Sequence, residues 1–157
     1  MLYPTPFPGW AARLLTGDPD VDTEHRLLAN AIARLRDACP DAENRVDCST
    51  CSRARAADCN HNLVEALGDL LSFLVDHFFA EEQAMKKFGL VSREKELCDR
   101  HKEDHARISD TVLRIVGALD SPQTVKLIRE LHAVLDTWLK HHIELHDAVL
   151  LEMIRQR

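Results

Sequence analysis

Four segments of this chain repeat apolar side chains at alternating three- and four-residue steps, the spacing that places them on one face of an α-helix. In each apolar row, some positions are occupied by side chains that can bind a metal, and the helical spacing of the row continues through these positions. The sequence shows no strand-like alternation of apolar and polar residues. The pattern therefore predicts an all-α protein, an antiparallel up-down four-helix bundle with an N-terminal arm.

The limits of the four helices follow from where each apolar row begins and ends. In chain order the predicted helices cover about residues 22–38, 63–88, 98–119 and 122–154. Gly89 ends the second helix, and Ser121 followed by Pro122 is a start signal for the fourth. The inward row of the fourth helix is predicted to continue through Leu145 and Val149.

Composition and charge limit the class of protein. The 157 residues are predicted to form a single domain over residues 1–157, and 45% hydrophobic with 29% charged residues is typical of a globular protein. A net charge of −6 argues against nucleic acid or an anionic membrane as partner.

The Pro-rich segment 1–18 has no secretion signal, and no run of apolar residues is long enough to span a membrane. These features favour the cytoplasm, where cysteines are usually thiols or metal ligands.

Seven side chains that can bind a metal fall on or near the inward faces of the four helices: His25, His77, Glu81, His101, His105, His142 and Asp147. His77 and Glu81 are four residues apart, and so are His101 and His105, so each pair lies on one face of its helix. Burying one unpaired side chain of this kind is costly, whereas metal coordination removes the cost for the whole set. An imidazole-rich set without thiolates, but with two carboxylates that can bridge, suits a pair of first-row ions such as iron. The sequence therefore predicts a di-iron site inside the bundle.

The fourth helix leaves the choice of one ligand open. His142 and Asp147 are five residues apart, so in an α-helix they diverge by about 140° around the axis. Spacing alone favours His146 as the partner of His142. Asp147, however, lines up with Leu139 and Ile143 on a flanking apolar strip, which places it at the edge of the core.

Four strings of the sequence, taken together, resemble a bacterial hemerythrin. In chain order they are Asp22-Thr-Glu-His25, His77-Phe-Phe-Ala-Glu81-Glu82-Gln-Ala-Met85, His101-Lys-Glu-Asp-His105 and Trp138-Leu-Lys-His-His142-Ile-Glu-Leu-His-Asp147. The similarity covers the chain from about residue 10 to the carboxyl end, apart from the segment between the first two helices. As a set these strings are specific, although any one of them alone would be a weak signal.

The resemblance implies roles for the seven side chains at two non-haem irons joined by an oxo or hydroxo group. It implies that His101, His105 and His142 bind one iron. His25 and His77 would bind the other, and Glu81 and Asp147 would bridge the two. In the family, dioxygen binds at an open position on the iron with two histidines. Trp138 and Leu139 lie on the same side of their helix as His142, so they are predicted to wall the oxygen pocket, with plain core packing as the alternative.

Residues 40–60 are polar and are predicted to form an inserted loop. Four cysteines lie in or beside this loop: Cys39, Cys48, Cys51 and Cys59. They could bind zinc tetrahedrally, form a redox dithiol through the Cys-x-x-Cys pair, or have no role beyond a solvated loop. The insert departs from the simpler connection of the family's stand-alone oxygen carriers, and it favours a sensor.

The leading hypothesis is reversible dioxygen binding without catalysis, as an oxygen or redox sensor domain of a signalling system. Hemerythrin-like domains also serve as input modules of signalling enzymes such as diguanylate cyclases, so the expected partner besides dioxygen is a C-terminal output domain or a separate signalling protein. The alternatives are a stand-alone oxygen carrier or storage protein, a di-iron enzyme acting on peroxide or nitric oxide, and an iron storage or iron-sensing protein. The sequence contains no Glu-x-x-His pair, which disfavours the ferritin-like carboxylate oxidases.

Overall fold

The computed structural model of the chain describes residues 15–41, 44–119 and 123–156. The helices are α1 (Pro19–Asp37), α2 (Arg53–Lys87), the short α3 (Leu90–Arg93), α4 (Lys95–Gly117), α5 (Thr124–His142), a π-helical turn (Ile143–Asp147) and α6 (Ala148–Arg155). Within these ranges there is no strand, and the predicted four-helix bundle is confirmed. Most of the predicted N-terminal arm and the start signal at Ser121 and Pro122 lie outside the described residues.

Each long helix packs against two neighbours and so encloses a shared core. α1 contacts α2 and α5, and α4 contacts the same two helices from the other side. The middle of the core is apolar and fully buried, and its residues include Leu35, Leu70, Ile115, Leu131 and Leu135. Burial of these rows provides the main stabilisation of the bundle. In the described part of the chain, no helix combines the length and the apolar character needed to cross a membrane.

α2 begins at Arg53 rather than at Leu63, which corrects the extent of the predicted loop at residues 40–60. The hydroxyl of Ser52 accepts a hydrogen bond from the backbone N–H of Arg55 at 3.2 Å and so caps the helix. The first turns of α2 are rich in arginine and alanine, which favour a helix although they form no apolar row. The connection between α1 and α2 is therefore limited to residues 38–52.

The π-helical turn changes which face of the last helical rod is buried. A π-helix bonds residue i to residue i+5, so five residues complete about one turn and Asp147 comes to lie beneath His142. Asp147 is fully buried, whereas Leu145 is 62% exposed and Val149 is 37% exposed. The prediction that the inward row continues through Leu145 and Val149 is wrong, because it assumed an uninterrupted α-helical period.

Candidate metal centre

The seven predicted ligands come together at one end of the bundle. They lie near the start of α1, the end of α2, the start of α4 and the end of α5 with its π-helical turn. All of them are buried and none is more than 7% exposed: His25, His77, Glu81, His101, His105, His142 and Asp147. In an antiparallel bundle these helix ends are neighbours, which explains why residues so far apart in sequence meet.

Three of the histidines form one group of converging nitrogen atoms. The Nε2 atom of His142 lies 3.3 Å from Nε2 of His101 and 3.2 Å from Nε2 of His105. Oε2 of Glu81 lies 3.1 Å from Nε2 of both His101 and His105. A neutral imidazole has only one N–H to donate, so three nitrogens cannot satisfy one another in this arrangement. Their convergence with a carboxylate oxygen suits a shared cation.

Asp147 connects this group to the other two histidines. Its Oδ1 atom lies 3.0 Å from Nε2 of His142 and 3.4 Å from Nε2 of His101. Its Oδ2 atom lies 2.8 Å from Nε2 of His25 and 3.7 Å from Nε2 of His77. One carboxylate therefore presents one oxygen to each group of histidines.

The two candidates on the last helical rod occupy different places in this cluster. Asp147 lies between the two histidine groups, because the π-helical turn brings it beneath His142. The ring of His146 instead stacks on that of His101, with centroids 5.0 Å apart. α-Helical spacing left open whether His146 or Asp147 is the partner of His142. The change from α-helix to π-helix after His142 decides which of the two lies beneath it.

Three further carboxylates hold the outward-facing Nδ1 atoms of the histidines, and the sequence analysis assigned no role to them. The pairs are His77 with Glu24 at 3.1 Å, His142 with Asp104 at 2.8 Å and His105 with Glu82 at 3.5 Å. In each pair the carboxylate belongs to one helix and the histidine to the next. Each carboxylate is adjacent in sequence to a predicted ligand, so the signal was present, but the pairing depends on the tertiary packing. Such carboxylates fix the ring orientation and leave Nε2 free to bind a metal.

Two aromatic rings cover the three-histidine group. The ring of Phe78 stacks on that of His105 with centroids 3.9 Å apart, and the ring of Trp138 stacks on that of His142 at 4.7 Å. Trp138 also donates its Nε1–H to Asp104 at 2.7 Å, so it supports the carboxylate that orients His142. Phe78 was missed by the sequence analysis, although it follows His77 directly. The proposed wall of an oxygen pocket at Trp138 stays a prediction.

The charges within the cluster depend on one another. Burial alone would lower the pKa of His77 and of His142, but the facing carboxylates outweigh it and raise these pKa values to about 10 and about 11. Burial acts to raise the pKa of Glu81 and of Asp147, and repulsion by Asp147 acts in the same direction on Glu81, yet the facing histidines lower both pKa values. The buried carboxylates thus stay anionic and require compensating positive charge, which protons or metal cations can supply in competition.

Two atoms that face the centre provide a direct test of whether a cation fits. In the described part of the chain, Nε2 of His77 and Oδ1 of Asp147 are buried and have no hydrogen bond of good geometry, although other donor atoms of the cluster lie 3.0–3.7 Å from them. Native proteins satisfy almost all such atoms. A cation between these groups would satisfy both, and a donor set of imidazole nitrogens and carboxylate oxygens is one that first-row divalent ions accept. The residues therefore fit a metal.

A four-helix bundle with a buried histidine and carboxylate cluster defines this chain as a cation-binding helical protein. The family described as Hemerythrin HHE cation binding domain matches residues 16–154, so the chain belongs to the hemerythrin family. This confirms the resemblance found in the sequence. No curated protein and no solved structure matches the chain.

The four cysteines of the candidate second site lie at the other end of the bundle. Cys39 follows the end of α1, Cys48 and Cys51 lie in the connection, and Cys59 lies in the second turn of α2. All four are free thiols that line one cavity. The fifth cysteine, Cys98, is buried among apolar residues beside the metal centre, as expected for a small hydrophobic side chain.

Proposed function

We propose that this chain binds dioxygen reversibly at a non-haem di-iron centre and acts as the oxygen or redox sensor domain of a signalling system. The observation that carries the proposal is the division of the histidines into groups of three and two. Oδ1 of Asp147 faces His101 and His142, which is joined to His105, and Oδ2 faces His25 and His77. The first iron would be held by His101, His105 and His142. The second would be held by His25 and His77, and Glu81 and Asp147 would bind both.

The unequal groups supply different numbers of ligands to the two ions. With one oxygen from each bridging carboxylate, the first iron would have three nitrogens and two oxygens, and the second two nitrogens and two oxygens. The ion held by His25 and His77 would therefore have fewer protein ligands than the ion held by the larger group. This asymmetry provides a place for dioxygen without displacement of a protein ligand.

Iron held by these residues would supply the reversible electron transfer that dioxygen binding requires. The chain contributes orientation and exclusion of water. The carboxylates of Glu24 and Asp104 hold the rings of His77 and His142 from outside. Leu139 is fully buried in the apolar core next to Trp138, and we propose that both side chains keep water from the centre.

A sensor needs a route from the metal centre to a partner, and the last helical rod offers one. Asp147 is the final residue of the π-helical turn and leads directly into α6. A small shift of this bridging carboxylate would therefore move the helix that follows it. π-helical turns often lie at functional sites because their looser bonding can rearrange.

Dioxygen binding is tested by the optical spectrum of the anaerobically reduced, iron-loaded protein before and after exposure to air. A colourless reduced form should gain a visible charge-transfer band that disappears on deoxygenation. Glu81→Ala should abolish the band, whereas Cys48→Ser with Cys51→Ser should leave it intact. A purified protein that holds one zinc ion and no iron at the histidine centre would contradict the proposal.

The sensor role is tested by hydrogen exchange of residues 148–155 in the deoxygenated and oxygenated protein. A change in protection of this helix is expected for a sensor, and an unchanged pattern would favour a stand-alone carrier. Sustained turnover of peroxide or nitric oxide with a reductant, lost in Glu81→Ala, would instead show a di-iron enzyme.

A further inference from the structure

Four cysteine side chains surround one cavity at the end of the bundle opposite the metal centre. The cavity has a volume of about 180 Å³. Cys39, Cys48, Cys51 and Cys59 reach it from three segments of the chain, namely the end of α1, the connection and the start of α2. Cys59 and His77 are separated by about 27 Å along α2, since an α-helix rises about 1.5 Å per residue. The two clusters are therefore separate sites.

Among the described residues that line the cavity, the cysteines are the only strong metal ligands. The side chains that the structure places there, besides the four cysteines, are mainly apolar, including Leu63, Val125 and Ile128. Soft sulfur donors in an apolar surrounding select zinc and similar ions over the harder ions that prefer carboxylates. The donor set is thus the opposite of that in the histidine centre.

The connection that carries two of these cysteines has few apolar anchors, and its polar contacts centre on Arg45, which pairs with Asp41 and Thr50 and whose carbonyl accepts a hydrogen bond from Arg129. Between residues 44 and 52 the only large apolar side chain is Val46, which is 84% exposed. Cys48 is the residue of this segment that packs against the core. A polar connection of this length needs a fixed point to hold one conformation, because its own side chains bury little apolar surface.

We propose that Cys39, Cys48, Cys51 and Cys59 bind one Zn²⁺ ion as a structural site that fixes the connection to the ends of α1 and α2. Binding replaces four S–H bonds with four S–Zn bonds and releases four protons to water, with no change of oxidation state. In the metal-free structure the sulfur atoms lie farther apart than a zinc site requires: among the described residues, no group of three or more metal-binding atoms within 4.8 Å of one another includes a cysteine sulfur. Tetrahedral zinc with Zn–S bonds of about 2.3 Å needs sulfurs about 3.8 Å apart, so binding draws the connection inward.

The proposal is tested on the full chain with its iron already bound, using Co²⁺ as a spectroscopic substitute for zinc. Cobalt bound by thiolates gives an intense near-ultraviolet charge-transfer band that imidazole and carboxylate ligands do not give. One equivalent of Co²⁺ per chain should produce this band, and one equivalent of Zn²⁺ should remove it. Absence of the thiolate band would overturn the proposal.

The variants are chosen so that folding and binding can be separated. Cys48→Ser with Cys51→Ser changes only the connection and should abolish the cobalt band while the circular dichroism and the iron band persist. Cys98→Ser removes a buried cysteine outside the cluster and should leave the cobalt band unchanged. Loss of the band in Cys98→Ser, or disulfides among the four cysteines in protein purified with zinc present, would overturn the proposal.

Discussion

The histidine end and the cysteine end of this bundle are built in different ways. At the histidine end every donor lies on a helix or in the π-helical turn, and an outer carboxylate orients three of the five rings. At the cysteine end two of the four thiols lie in an irregular connection, and no carboxylate among the described residues hydrogen-bonds to any of the four. Rigid helices thus bring the histidine and carboxylate donors together, whereas the four cysteines would have to move closer to one another to bind the zinc ion that we propose.

This contrast explains why the two ends suit different ions. Preorganised imidazole and carboxylate donors on rigid helices can hold two ions and still leave one position open. A thiolate set that closes on its ion leaves no open position, which is the mark of a structural zinc site. The predictions below test how far each end depends on its own local geometry.

The π-helical turn should be the most sensitive element of the histidine end. Inserting one alanine after Glu144, an exposed residue inside the turn, places Asp147 six residues after His142 and rotates it away from the other ligands by about 100°. We expect the iron content to fall from two ions per chain to at most one, measured by elemental analysis. Glu144→Ala, which keeps the residue count, should retain both ions. Two irons in the insertion variant would show that Asp147 is not needed.

The shared core between the two ends should control global stability. Leu70 is fully buried in the middle of α2, so Leu70→Ala should lower the free energy of unfolding by about 2–5 kcal/mol. Leu113→Ala, at a position 61% exposed on α4, should change it by less than about 0.5 kcal/mol. Urea denaturation of the metal-free protein measures both. Equal effects of the two variants would contradict the assigned core.

The outer carboxylates should strengthen metal binding without being ligands. Asp104→Asn keeps the shape but removes the charge that faces Nδ1 of His142, and we expect iron affinity to fall about 10–100-fold. Glu103→Gln, an exposed neighbour on the same helix, is the matched control and should leave affinity unchanged. Competition with a chelator measures the difference. An unaffected Asp104→Asn variant would remove the support argued for this carboxylate.

The start of α2 should contribute the smallest effect. Ser52→Ala removes the hydroxyl that caps this helix beside the cysteine cluster and should cost about 1 kcal/mol of stability. Ser72→Ala lies at an exposed position inside the same helix, where alanine is the better helix former, so it should not destabilise. Thermal denaturation of the two variants side by side distinguishes a cap from a general serine effect. Similar shifts in both would argue against the cap.

The helices and the seven clustered side chains could be predicted because polar residues stand in otherwise apolar rows of helical period. Leu145 was assigned inward because sequence period alone cannot show that five residues complete a turn. Arg53 and the residues after it were assigned to a loop because they form a helix without an apolar row. Glu24 and Asp104 were missed because their partners lie on neighbouring helices, which only the folded chain brings close.

We propose that Asp147 and Glu81 lie between two adjacent iron ions. Anomalous diffraction at the iron absorption edge, from crystals of the iron-loaded protein, locates such ions. Two peaks about 3.5–4 Å apart are expected, the separation usual for paired metals, with an oxygen of Asp147 beside each. A single peak among His101, His105 and His142, with His25 and His77 unliganded, would contradict it.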